Sequence, residues 1–172
     1  GLAWRRDNHQ VKVMHKGTFS LAIVGLFLAL PGAAHAQDAL ENIIKSKDIS
    51  RTQAATMEAE VALRFRRLTG AKSIDSRAEA RDRITKTAQI SGASPAGLAT
   101  YARTCANEAA GLVSSETLDR ATDGVMVLSA LDHPETADTL GDALKSTHAA
   151  VRLMAARVIV QLQDKLKDDS SR

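Results

Sequence analysis

The chain of 172 residues carries 23 basic and 20 acidic side chains, a net charge of +3, one cysteine and only 3% aromatic residues. A lone cysteine excludes a disulfide framework and a thiolate zinc cage, and so few aromatics leave little surface on which bases or sugars could stack. The charge excess sits at the N-terminus: residues 1–36 hold Arg5, Arg6, Lys12 and Lys16 against Asp7 alone, so residues 37–172 balance at 19 basic and 19 acidic. That neutral remainder gives no electrostatic ground for a nucleic-acid partner or an anionic membrane.

The first feature in chain order is the apolar run Phe19–Leu30. At about twelve residues it is well short of the roughly twenty that a spanning helix needs. Lys16 precedes it, Pro31-Gly32 stop it, and Ala34-His35-Ala36 places small side chains where a signal peptidase needs them. These parts predict a secretory signal cleaved between Ala36 and Gln37, leaving an exported, periplasmic or secreted product with no stable membrane span. No cysteine stands near the cleavage point to carry a lipid anchor. Met14 reads as the natural start of such a signal, with Gly1 to Val13 an upstream extension. Arg5-Arg6 is followed by Asp7-Asn8 rather than by the apolar residues a twin-arginine signal favours.

Beyond the leader, every periodic segment is helical. Asp38 with Glu41 predicts the start of a short helix with Asn42-Ile43-Ile44 on its apolar side. Ser50 with Gln53 starts a longer one ending at Gly70, with Met57, Val61, Phe65 and Leu68 on one face. Ser76 with Glu79 opens a third, reaching about Ile90 with Ala80, Ile84 and Ala88 as its stripe. Ser94-Pro95 is a cap followed by proline at the first helical position, and Leu98, Tyr101, Ala102, Cys105 and Ala109 make the buried face. Ser115 starts the next, with Leu118, Val125, Leu128 and Leu131 inward. Pro134 starts another with Ala137, Leu140 and Leu144, and the last runs from Ala149 to Lys167 through Val151, Ala155, Val158, Leu162 and Leu166. Seven helices with short turns predict an all-α protein, divided into a leader (1–36), N-terminal helices (37–92) and a C-terminal helical region (93–172).

The stretch from His133 to Leu162 resembles a HEAT repeat: a first helix ending in Ala143-Leu144, a polar turn at Lys145 to His148, then Val151-Arg152 and Ala155-Ala156 leading an apolar second helix. The resemblance covers residues 134–163. A shift of 33 lays Gly124-Val125-Met126-Val127 over Arg157-Val158-Ile159-Val160, as a degenerate earlier copy would. Residues 95–131 depart from the pattern, with Leu118-Asp119 in place of the Val-Arg pair. The resemblance implies antiparallel helical hairpins stacked as an α-solenoid in the C-terminal part, a family whose usual role is to present a surface to a protein partner. It carries no shared catalytic residues.

Elimination points the same way. Among residues 37–172 only His133 and His148 remain as histidines, at opposite ends of one helix and roughly 18 Å apart by its rise, too far for one metal. Cys105 falls at helical spacing within an apolar face, as a small buried hydrophobe does. No glycine-rich phosphate loop or nucleophile elbow is present. No catalytic, cofactor-binding or metal-ligating residue is therefore expected. Charge is the remaining feature, since residues 51–86 are basic in balance and 107–172 acidic. Arg64, Arg67, Arg77 and Arg81, with Arg66 and Arg83 beside them, form the candidate partner surface; pairs such as Glu60–Arg64, Glu79–Arg83 and Asp82–Lys86 equally suit a solvated helix face. The expectation is an exported, non-enzymatic protein-interaction scaffold. The alternatives are an accessory subunit of an envelope enzyme complex and a plain structural bundle.

Overall fold

Local sequence explains most of the helix ends. A computed structural model describes residues 32–170, and all regular structure among them is helical. Residues 1–31, with the apolar run, lie outside the described residues. Helix α1 is Gly32–Lys45. It begins upstream of Asp38, so Asp38 and Glu41 are not its start; Ala33, Ala34 and Ala36, the best helix formers, carry the helix back past them. The expected cleavage residues Ala34, Ala36 and Gln37 thus lie in the backbone of α1, and its buried side chains Leu40, Ile43 and Ile44 all follow them.

Helix α2 (Arg51–Gly70) starts at the expected capping box, with the Ser50 hydroxyl accepting from the Gln53 amide at 3.2 Å and the Gln53 side chain accepting from the Ser50 amide at 2.9 Å. Met57, Val61, Phe65 and Leu68 are buried. Helix α3 (Ile74–Thr85) starts earlier than expected, because Ser73 is the cap and Ser76 plays the part that Glu79 was expected to play one turn later. A 3-10 turn, Lys86–Gln89, follows. Helix α4 (Pro95–Val113) has Ser94 as its cap and Pro95 in its first turn, as expected. Helix α5 is Leu118–Leu131, preceded by Thr117 rather than opened at Ser115, and Asp132 ends it in the left-handed region at φ 49°. Pro134–Thr136 is a 3-10 turn, followed by α6 (Ala137–Ala143) and α7 (Ala149–Ser170).

Helix α4 is the hub: α1, α2, α5 and α6 all pack on it, with α5 its most extensive neighbour. Helix α5 also meets α3 and α7, α2 meets α3, and α6 meets α7. Two glycines permit the closest approaches. A Cβ on Gly97 would stand 1.9 Å from the Ile44 carbonyl oxygen, and one on Gly124 would stand 2.9 Å from Val113 Cγ1. At the first contact Ser94 closes the end of α1, its amide donating to the Ile44 carbonyl at 2.9 Å and its hydroxyl donating to the Ser46 carbonyl.

Four of the polar contacts between helices tie the region of α4 and α5 to that of α6 and α7. Arg103 pairs with Glu135 at 3.0 Å, Thr139 donates to the Ala106 carbonyl at 3.3 Å, the His148 ring meets the Glu116 carbonyl at 2.8 Å, and Lys165 meets Asp132. Each joins residues 32 or 33 positions apart.

Some side chains leave the faces their spacing predicted. Leu118, Leu144 and Leu166 are 45%, 40% and 50% exposed, and Ala137 is exposed as well. Leu144 follows the last residue of α6, whose inward side chains are Leu140 and Ala143. Leu166 lies past Lys165, which is level with Asp132 just after the end of α5, so little of α5 remains to cover it.

Candidate functional site

The arginines singled out from the sequence have different surroundings. Arg77 and Arg81 are one turn apart on α3 and face Asp119 and Asp123, one turn apart on α5. Arg77 Nη1 stands 2.9 Å from Asp119 Oδ2 and 3.9 Å from Asp123 Oδ2, and Arg81 contacts Asp123 directly. Asp123 is 4% exposed. A carboxylate so deep needs charged partners, because its desolvation would otherwise cost several kcal/mol.

Arg64 turns inward from α2. Its guanidinium donates to the Arg83 carbonyl at 2.8 Å and to the Thr87 hydroxyl, rather than pairing with Glu60. The buried Tyr101 hydroxyl donates to the neighbouring Ile84 carbonyl at 2.7 Å. Two side chains from other helices therefore satisfy carbonyls at the end of α3. Arg83 pairs with Glu79 at 2.7 Å and Lys86 with Asp82 at 3.0 Å, the expected pairs along one helix. Arg66 and Arg67 are exposed on α2.

A cleft of about 140 Å³ opens beside the charged seam, between the ends of α2 and α4 and the start of α5. Leu68 and Leu112 give it an apolar side, and Arg77, Asp119 and Arg120 a polar side of mixed sign.

The groups with reactive potential are engaged in structure. Cys105 is fully buried, and burial pushes its thiol up to about 12, which holds it as the unreactive thiol at neutral pH. Burial, then the neighbouring Cys105, raises the Tyr101 phenol well above its usual range. His133 caps the Pro134–Thr136 turn, its Nδ1 accepting from the Glu135 amide at 3.2 Å. Among the described residues no three His, Cys, Asp or Glu side chains are placed to hold a metal ion, and no helix is long and apolar enough to cross a membrane.

Sequence reasoning missed Asp119, Asp123 and Gly97, and it read Ser94 as the cap of α4 without its second part in closing the end of α1. Asp123 had a local signal, an acid between Ala121 and Val125 on a buried face. No family model matches the chain, and neither a curated protein nor a solved structure matches it.

Proposed function

We propose that this chain is an exported protein-interaction module of HEAT-like helical repeats, with no catalytic chemistry of its own. The observation that carries the repeat reading is the constant offset of 32 or 33 residues in the four polar contacts that link α4 to the segment running through α6, and α5 to α7. One offset for both pairs is what a helix pair stacked on its own copy produces. It agrees with the shift of 33 found in the sequence. On this reading α4 and α6 stand in one row and α5 and α7 in the other, with α2 and α3 packed before them on α4 and α5 at a longer spacing, 42 residues in the Arg77–Asp119 and Arg81–Asp123 pairs.

Export is supported by the Phe19–Leu30 run and the small residues before Gln37. Cleavage there would leave Leu40, Ile43 and Ile44 in the mature chain, so α1 keeps its described apolar contacts. The interaction role is supported by how the reactive side chains are used: Cys105 and Tyr101 are sealed in the core, and His133 serves as a cap. Arg67 and Arg66 are the members of the basic group left for a partner, a narrower surface than the six arginines first marked.

The test is affinity capture with residues 37–172 from the envelope fraction, followed by reconstitution with the captured protein. A single partner that binds at fixed stoichiometry with purified components is the expected result. Specific turnover of a substrate by the isolated chain would overturn the reading. Intact mass of the exported protein checks the Gln37 terminus, and a titration with duplex DNA is expected to show no salt-dependent binding.

A further inference from the structure

We propose that the exported protein carries a modification site at its first residue, where Gln37 closes on its own α-amino group to form pyroglutamate. The inference rests on the export reading, which puts the cut between Ala36 and Gln37 and so makes a glutamine the first residue. A terminal glutamine holds nucleophile and electrophile in one residue. The α-amino nitrogen attacks the side-chain amide carbon Cδ, a five-membered lactam forms, and the bond from Cδ to the amide nitrogen breaks. That nitrogen leaves as ammonia with the proton the amine gives up, and nothing is oxidised or reduced. The reaction joins two groups already held together, so it needs no co-reactant. An ordinary α-amine has about a tenth of its population unprotonated at neutral pH, ready to attack.

The place of residue 37 in the fold leaves this reaction open. In α1 the backbone pattern carries the amides of residues 37–40 back to the carbonyls of residues 33–36. The cut removes those four acceptors, so residue 37 becomes the head of a shortened helix. The buried side chains that seat α1 begin three residues on, at Leu40, and continue with Ile43 and Ile44. Its far end is closed by the Ser94 amide on the Ile44 carbonyl at 2.9 Å. The described anchor of α1 therefore lies downstream of the reacting residue, and the ring takes nothing from it. The helix also favours the product. An ammonium at residue 37 would stand at the positive end of the helix dipole, whereas the lactam brings no charge there and keeps the backbone carbonyl that accepts from the Glu41 amide.

The test is the intact mass and N-terminal sequence of the exported protein, with Gln37→Ala exported alongside. A mass one ammonia below that of residues 37–172 is expected, with no sequence by amine-directed degradation. After unfolding and treatment with a pyroglutamyl peptidase, the sequence should begin at Asp38-Ala39-Leu40. Gln37→Ala should have its full mass and be read directly from residue 37, which separates ring closure from loss of ammonia at Asn42 or Asn107. A terminus at Gln37 with full mass and an open amine overturns the proposal and leaves the export reading standing. An ammonia-deficient mass that persists in Gln37→Ala overturns it as well. A terminus at any other residue overturns both.

Discussion

On its α3 side helix α5 is joined through Asp119 and Asp123 to a pair of arginines, whereas α7 is seated on α5 and α6 through Val151, Ala155, Val158 and Leu162. The contrast separates two functions of a helix contact. Charges with fixed partners choose a register, because sliding α3 by one turn would leave either Asp119 or Asp123 without an arginine opposite it, yet they add little net stability once desolvation is counted. Valine, leucine and alanine choose distance, and supply stability through the apolar area removed from water. The charged seam also accounts for the opposite sign of the two chain regions. Part of the basic excess of residues 51–86 is met by acids of residues 107–172 within the same molecule.

The sharpest way to break the contrast is Ala155→Glu, which sets a carboxylate without a partner in a fully buried position on α7. A loss of about 3–5 kcal/mol is expected, from a total of about 5–15. Thermal melting should show α7 released from α6. Next comes Asp123→Ala, which leaves Arg77 and Arg81 without their buried acid. Their side chains are 22% and 20% exposed, so water recovers part of the charge and the expected loss is about 2–3 kcal/mol, measured by the denaturant midpoint. Asp123→Asn should fall between this variant and the parent.

A smaller effect is expected at the turn before α6. Burial lowers the His133 pKa from 6.5, with Arg103 acting in the same direction and Glu135 against it. The unfolded chain takes up its proton near pH 6.5 and the folded chain only below that, so the stability is full above 6.5 and falls as the pH drops through the interval beneath it. Protonation also removes the Nδ1 acceptor that caps the turn. Stability measured against pH should lose this part of its slope in His133→Gln. Smallest is Arg157→Glu, exposed on α7 two residues after Ala155, where about 1 kcal/mol or less is expected by the same melting measurement.

Local rules carried the sequence reading far along the chain. The Ser50–Gln53 box, the Met57–Leu68 stripe and the Ser94-Pro95 start needed only neighbouring residues, and the structure has all three. The start of α3 was misplaced because Ser73 and Ser76 cap each other, a pairing that serine can make but that the usual glutamate pattern hides. Leu118, Leu144 and Leu166 were misassigned because periodicity gives the angle of a side chain and not the point at which the neighbouring helix ends. The charged seam was half legible. Arg77 and Arg81 were marked as a basic group, but their acids lie 42 residues on, beyond the reach of any helical spacing rule. Gly97 could have been noticed as a glycine inside a helix, yet only the fold shows that Ile44 fills the space a side chain would need.

The stacking of successive helix pairs is tested most directly by paired cysteines at positions that the repeat offset joins. Arg103→Cys with Glu135→Cys, and separately Asp132→Cys with Lys165→Cys, place exposed thiols on neighbouring helices or at their ends. Both pairs should be closed within one chain by a short bis-maleimide, whereas Arg103→Cys with Asp142→Cys, about two turns further along, should not. Closure of the shifted pair in place of the matched ones would contradict the offset, and the row of stacked helix pairs with it.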